Sequence, residues 1–529
     1  MPTPSEKLAR SLRALRELQQ EGRRVFKSDE LSRTDRERLL EHGFVRPVMK
    51  GWLLSSSPDS LPGDTTPWYA SFWEFCARYC TDRFGEEWHL SPEQSIRLRA
   101  GDTSIPWQVV IYSPHGTNNT VDLLFDTSIY DLKQDSMPRA EDLDRQDGLR
   151  IFTAAAGLTK VSGGFYARHP IEAQVALSEI EDASDVLRRL LEGGHSTVAG
   201  RLAGAFRRVG RTGFADEIVS TMERAGYRVR ENDPFERDGS LPPLGIRAPT
   251  FVRRLEAMWA SMRETVLEVF PSPPGLPRDP ERYLRTVEDL YERDAYHSLS
   301  IEGYEVTEKL IDRVRTGAWD PVADASDRTN RNALAARGYW QAFQSVKEAV
   351  EEVLAGADPG RLVRNAHREW YRDLFQPFVA AGVLESAALA GYRSGPVYIK
   401  DSRHVPPHRD VVRGAMPALF ELLEEEKEAA VGAVLGHWMF GYIHPFPDGN
   451  GRLARFLLNV VLASGGYPWT VIRVEDRAPY MSALESASVE TDPRPFAEFV
   501  AERVKSSRAE GPEMRSAPTQ NGGQGLPDG

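Results

Sequence analysis

The sequence predicts a multi-domain protein: an N-terminal half of α/β or α+β character, and an all-α C-terminal half with one small β-hairpin. Three observations carry this. The chain has 529 residues, more than one ordinary domain uses. Strand-like apolar runs cluster in its first third, whereas from Thr250 onward apolar positions recur at helical spacing. Between the halves lies residues 230–249 (RENDPFERDGSLPPLGIRAP), polar, rich in Pro and Gly, without periodicity, and read as a linker.

Composition narrows the function classes. A hydrophobic content of 41% is enough for real cores. A net charge of −12 argues against general affinity for nucleic acid across the whole chain. The two cysteines, Cys76 and Cys80, stand four apart on a predicted helix; with no further soft ligands near, they read as core residues of a protein in a reducing cytoplasm. No apolar run approaches membrane-spanning length, and the N-terminus is charged and amphipathic. Neither a signal peptide nor a membrane partner is expected.

Residues 5–21 place Leu8, Leu12, Leu15 and Leu18 on one helical face. Ser28-Asp29 reads as the cap of a second helix running to about Leu40, and residues 44–54 read as a hairpin. Helix, helix, hairpin is the order of a winged helix, assigned to residues 1–60. Residues 1–50 hold 12 Lys/Arg against 8 Asp/Glu, the local excess a DNA-binding module would leave. A protein-docking or structural module is the other reading. Residues 61–229 form a mixed α/β region. It has a Trp-rich helix from Pro67, strands at 108–112 and 120–125 around a polar turn, and further strands at 151–152 and 164–166. Helices follow at roughly 170–192, 197–208 and 213–225.

After the linker, helix resumes at Thr250, breaks at 271–275, and resumes near Pro280. Two helices follow, 331–354 and 360–381. Residues 391–400 then switch to strand character, and residues 431–442 are apolar almost all round, hence a buried helix. His437 within it reads as structural. Residues 508–529 carry no apolar pattern and are expected to be a disordered tail.

The chemistry is concentrated in residues 444–455, His-Pro-Phe-Pro-Asp-Gly-Asn-Gly-Arg-Leu-Ala-Arg. Gly449, Asn450 and Gly451 form a tight turn opening a helix. Its unpaired N–H groups and positive dipole end make an anion site. Arg452 and Arg455 suit phosphate oxygens there. Asp448 is a hard carboxylate able to hold Mg²⁺ between two phosphates. His444 is the one group of the run able to act as base near neutral pH.

This run resembles the Fic family signature, His-x-Phe-x-(Asp/Glu)-Gly-Asn-Gly-Arg-x-x-Arg, at every signature position. The resemblance covers about residues 250–507 as a catalytic domain. It implies an all-α fold with a small hairpin flap, at about 392–408, that holds a target protein by strand addition. It implies transfer of AMP from ATP, with Mg²⁺, to a Ser, Thr or Tyr hydroxyl. In that resemblance His444 is the base, Asn450 stabilises transferred charge, and Gly449, Gly451, Arg452 and Arg455 bind the nucleotide. Tyr480 is implied as an adenine contact, with a core aromatic as the equal alternative. Ser298, Glu302 and Gly303 resemble the family's inhibitory signature (Ser/Thr)-x-x-x-Glu-(Gly/Asn), of the class with an N-terminal inhibitory helix. That implies autoinhibition by a Glu302–Arg455 pair. Residues 1–60 look similar to the winged-helix module of AbiEi-type antitoxins. Other nucleotidyl transfer, removal of AMP, or a DNA-binding regulator stay open as alternatives, as does a homo-oligomer.

Overall fold

In the computed structural model the described residues are 3–58, 63–235, 244, 248–317 and 330–513. The chain divides into two compact units. One comprises Met1–Ser261 and Pro396–Val411, the other Met262–Gly395 and Val412–Gly529.

The first unit opens on the helix Pro4–Leu18. Its Thr3 and Glu6 exchange side chain and backbone in a capping box, with Pro at the first turn. The second helix, Arg33–Glu41, is capped by Ser32 rather than by Ser28-Asp29; Asp35 N–H bonds the Ser32 hydroxyl. Three antiparallel strands follow in the order Val25–Lys27, Trp52–Ser55, Val45–Met49. Phe26, Leu31, Leu39, Val45 and Leu53 pack with Leu15 beneath them. Helix, helix and hairpin therefore stand as the sequence predicts, with Val25–Lys27 added as a third strand.

The next sheet corrects the sequence reading. Its order is His89–Leu90, Gln108–Ser113, Ser128–Lys133, Asn119–Asp122. The strand at Ser128–Lys133 was not foreseen, and it separates the two that were. Gln108–Ser113 pairs with it in parallel and Asn119–Asp122 antiparallel. Asp131 hides this strand from a hydrophobicity reading. It is buried, and its carboxylate accepts from Thr117 N–H at 2.7 Å and pairs with Arg83 at 2.7 Å. Residues 124–126 form a turn, with Phe125 at φ 52°, so the foreseen strand 120–125 is shorter. Leu149–Phe152 is a strand as expected, but 165–168 is helical. The single helix expected over 170–192 is two, Pro170–Glu179 and Ser184–Gly193. Cys76 and Cys80 are free thiols in the core, on the helix Phe72–Phe84.

The helix Thr250–Val269 begins in the first unit, so the division at 261 falls inside it rather than at the linker. Arg254 is buried there, 2.8 Å from Glu172 and 3.9 Å from Asp102, and Arg253 donates to Ser178 at 3.0 Å. Linker residues 236–243 and 245–247 lie outside the described residues.

The segment 396–411 also belongs to the first unit. Ile105 N–H donates to Arg403 C=O at 2.8 Å, and the Arg403 guanidinium donates to Ile105 C=O at 3.1 Å. Arg403 lies 4.0 Å over the Trp107 ring, Arg24 lies 5.1 Å over Tyr398, and Val405 packs against the core. No strand is assigned over 391–408, so the hairpin expected there is not formed. Pro396, Pro406 and Pro407 withhold N–H groups that a ladder would need.

The second unit is helical among its described residues. Arg331–Leu354 packs along Pro359–Ala380, and Ala429–Ile443 along Asn450–Ser464. Ala429–Ile443 is buried on nearly every face, as its uniform apolarity demands. The last helix runs Arg494–Glu513, past the expected start of a disordered tail at 508; residues 514–529 lie outside the described residues. No described helix is long and apolar enough to cross a membrane.

Candidate active site at the helix junction 444–455

The buried helix Ala429–Ile443 stops at His444, which adopts a left-handed backbone, φ 52° and ψ 61°. A non-glycine residue holds that conformation only where its surroundings enforce it. Here they do. Phe446 is fully buried and stacks on Tyr371 with ring centroids 4.1 Å apart. Arg393 N–H donates to Pro445 C=O at 2.9 Å, and its guanidinium donates to His444 C=O at 2.8 Å. Nothing in the local sequence around Arg393 signals this role.

Asn450 completes the clamp. Its Oδ1 accepts from Phe446 N–H and its Nδ2 donates to Phe446 C=O, each at 2.9 Å. Its side chain is thus committed to the loop. It thereby shapes the anion site, and Nδ2 carries a second N–H beyond the one given to Phe446. The helix Asn450–Ser464 begins behind it, with Gly449 at φ 79°. The first intrahelical bond is Leu453 N–H to Gly449 C=O, 3.1 Å. The amides of 450–452 therefore point out of the helix start.

His444 Nδ1 lies 3.2 Å from Gly441 C=O, so that nitrogen carries the proton and Nε2 is the acceptor. Burial, helped by Arg393, pushes its pKa down to about 4, although the Gly441 bond, Glu302 and Asp448 oppose the shift. The imidazole is neutral near pH 7 and able to take a proton. Asp448 projects from the loop with its side chain 64% exposed, its Oδ1 accepting from Gly449 N–H at 2.6 Å. Among the described residues no cluster of three metal-ligating side chains exists. A lone outward carboxylate fits Mg²⁺ held chiefly by water and substrate phosphates.

The two arginines differ. Arg452 is fully buried between the rings of Tyr304 and Phe375, at 5.4 and 5.1 Å, and 3.7 Å from Asp448. None of its three guanidinium nitrogens has a hydrogen-bond partner among the described residues. Arg455 is saturated. It donates to the Glu302 carboxylate at 2.7 Å, to Ser298 Oγ at 2.9 Å and to Ser298 C=O at 3.1 Å. Burial alone would raise the Glu302 pKa, but Arg455 and Arg452 more than reverse this and hold it below its ordinary value.

Glu302 is placed by the end of its own helix, Tyr291–Ile301. Gly303 at φ 87° lets the chain close a Schellman turn, with Tyr304 N–H bonding Leu299 C=O and Gly303 N–H bonding Ser300 C=O. Arg477, which the sequence did not single out, donates to Ile301 C=O at 2.9 Å and holds that end. A Cβ added to Gly451 would meet Glu302 Oε1 at 2.4 Å, so only glycine lets the carboxylate lie against the helix start. Ser298, Glu302, Gly303, Gly451 and Arg455 are thus brought together. Tyr480 is not on the open face. It is 2% exposed, packed on Phe496 and Phe499, with its hydroxyl 2.8 Å from His437 Nε2. The core-aromatic alternative describes its placement, and His437 is structural.

Residues 361–462, which hold this loop and the helices packed around it, match the model of the Fic/DOC family. The protein adenylyltransferase Fic of Nematostella vectensis is 42% identical over 114 residues, 21% of this chain and 26% of that protein. Protein adenylyltransferase fic-1 of Caenorhabditis elegans is 33% identical over 119 residues, 22% of this chain and 23% of that protein. The chain thus spans about a quarter of the length of the curated relatives it matches. Among solved structures, Fic-1 (residues 134–508) of C. elegans aligns at TM-score 0.36 and 18% identity, covering 64% of this chain and 96% of that one.

Proposed function

We propose that this protein transfers AMP from ATP to a Ser, Thr or Tyr hydroxyl of a target protein, and that Glu302 holds the reaction off. The observation that carries the proposal is the contrast between the two arginines: one buried guanidinium that makes no hydrogen bond among the described residues, with Asp448 no nearer than 3.7 Å, and one bonded to a carboxylate from another helix. A buried guanidinium without an acceptor calls for an anion. The relatives' printed name, protein adenylyltransferase, supports a nucleotide as that anion.

In this reading the triphosphate lies on the amides of 450–452. Arg452 and, once released, Arg455 hold the β- and γ-phosphates. Asp448 would hold Mg²⁺, which supplies charge neutralisation at the phosphates. The target hydroxyl oxygen attacks the α-phosphorus, the bond from it to the bridging oxygen breaks, and pyrophosphate leaves. His444 Nε2 accepts the hydroxyl proton. The negative triphosphate beside His444 raises its pKa toward the working range. The segment 392–408 is the proposed contact for the target, and ATP use and the free cysteines suit a cytoplasmic setting.

Glu302 occupies the cation that the γ-phosphate needs. A partly buried pair of this kind contributes on the order of 2–4 kcal/mol. Glu302→Gly should therefore raise AMP transfer on the order of a hundredfold. The test is incubation of wild type, Glu302→Gly, and Glu302→Gly/His444→Ala with Mg²⁺ and ATP labelled at the α-phosphate. Label on protein in the single mutant alone supports both roles. Equal labelling of wild type and Glu302→Gly would sink autoinhibition, and label in the double mutant would remove His444 as base. Absence of label with ATP still bound would move the reading to another donor or to AMP removal.

A further inference from the structure

Beside the catalytic loop, and apart from the nucleotide residues, the second unit carries a groove of about 940 Å³. It is lined by Arg364, Arg368, Arg393 and Arg413, with His367 and Tyr392 between them. No carboxylate lines it among the described residues, in a chain whose net charge is −12. The arginines are not equivalent. Arg364 pairs with Glu424 at 2.6 Å, and Arg393 is turned into the loop carbonyls. His367 is neutral, its pKa lowered by burial to about 4. Arg368 lies 4.4 Å from the Tyr392 ring, and it and Arg413 are exposed. Among the described residues neither has a carboxylate partner.

The groove touches the chemistry directly. Pro447 of the catalytic loop forms part of its wall, and Arg393 fastens that wall to the backbone of His444 and Pro445. Arg368 and Arg413 line the same groove as Pro447, three residues after His444. From this placement we propose that the groove docks an acidic segment of the target polypeptide, with Arg368 and Arg413 reading its carboxylates. The proposal rests on the reading of the domain as a protein-modifying transferase. It names the substrate class that the backbone of the loop leaves unspecified.

The probe is a fluorescein-labelled peptide of alternating Glu and Ser residues, titrated with the full chain by fluorescence anisotropy, beside its Lys-Ser counterpart and a labelled DNA duplex. The acidic peptide should bind and the basic one should not, and binding should weaken as salt rises. Arg413→Glu, on an exposed position, and Arg368→Glu/Arg413→Glu should weaken it by about tenfold or more while ATP binding stays unchanged. Equal affinity in the variants, or no binding of the acidic peptide, overturns the assignment. So does tighter, arginine-dependent binding of the duplex, which would make the groove a nucleic-acid site. Peptide binding is independent of transfer: if Glu302→Gly labels nothing while the acidic peptide still binds, the AMP-transfer reading fails and the groove stands as a docking site. If the mutant labels itself and the peptide does not bind, the groove assignment fails alone.

Discussion

Asn450 shows how one side chain can fix the turn on which a signature rests. Both polar atoms of its side chain close on the Phe446 backbone, so it sets the shape of the turn. Asn450→Ala would leave two buried backbone groups of Phe446 without partners, at about 1–3 kcal/mol each. The variant should melt several degrees lower and lose ATP binding together with transfer. Calorimetry beside nucleotide titration checks this; an unchanged melting temperature with only the rate reduced would contradict the structural role and favour a direct one. At this scale the sequence was most legible where spacing itself encodes function. The twelve residues from His444 to Arg455 and the Ser298-Glu302-Gly303 set converge as read, although 157 positions separate Ser298 from Arg455. Arg393 and Arg477 were not legible, because a lone arginine carries no mark of the carbonyl it will satisfy. Tyr480 is legible only as an aromatic, which suits a core and a ligand wall equally.

Helices set the electrostatics that these residues feel. Ala429–Ile443 carries His437 and ends on His444, while Pro359–Ala380 carries His367. Burial lowers the pKa values of His367, His437 and His444 to about 4, 3 and 4. The unfolded chain, titrating near 6.5, then binds more protons than the folded one as the pH falls. Stability present above about pH 6.5 should be lost on acidification toward pH 4, with a slope on the order of 1.4 kcal/mol per pH unit for each enclosed histidine. His444, the most accessible of the three, counts for less. Asp294 acts in the opposite sense. It is buried against the Tyr339 hydroxyl at 2.7 Å with its pKa raised to about 6, so its contribution grows as the pH falls below that value. Melting temperatures from pH 7.5 to 4.5 should therefore decline; a flat profile would contradict the burial of the histidines. Long helices such as Arg331–Leu354 were legible from their period. The strand Ser128–Lys133 was not, because a buried ion pair put a charge where a hydrophobicity pattern expects none.

At the scale of the whole molecule, the two-part architecture was legible from the Pro/Gly-rich stretch, but the place of division was not. A helix read from apolar period alone gives no sign that Arg253 and Arg254 will be buried at one end of it. The segment 396–411 was legible as an interruption of the helical half, and its prolines explain why it forms no hairpin. What no local pattern could supply is that it folds with the first unit, through Ile105, Trp107, Arg24 and the core around Val405. The covalent order of the chain and the order of its folding units therefore differ, and no single cut separates them. A fragment starting at Met262 would keep 396–411 but lose the partners that fix it; one ending at Ser261 would expose the seat around Ile105 and Trp107. Each truncation should thus be less cooperative in unfolding than the intact protein, visible as protease cleavage within 396–411 in the first and as apolar dye binding in the second. Recombination between relatives faces the same geometry: an exchange of the C-terminal half carries along a strip of sequence matched to the other half, and the two are expected to change together.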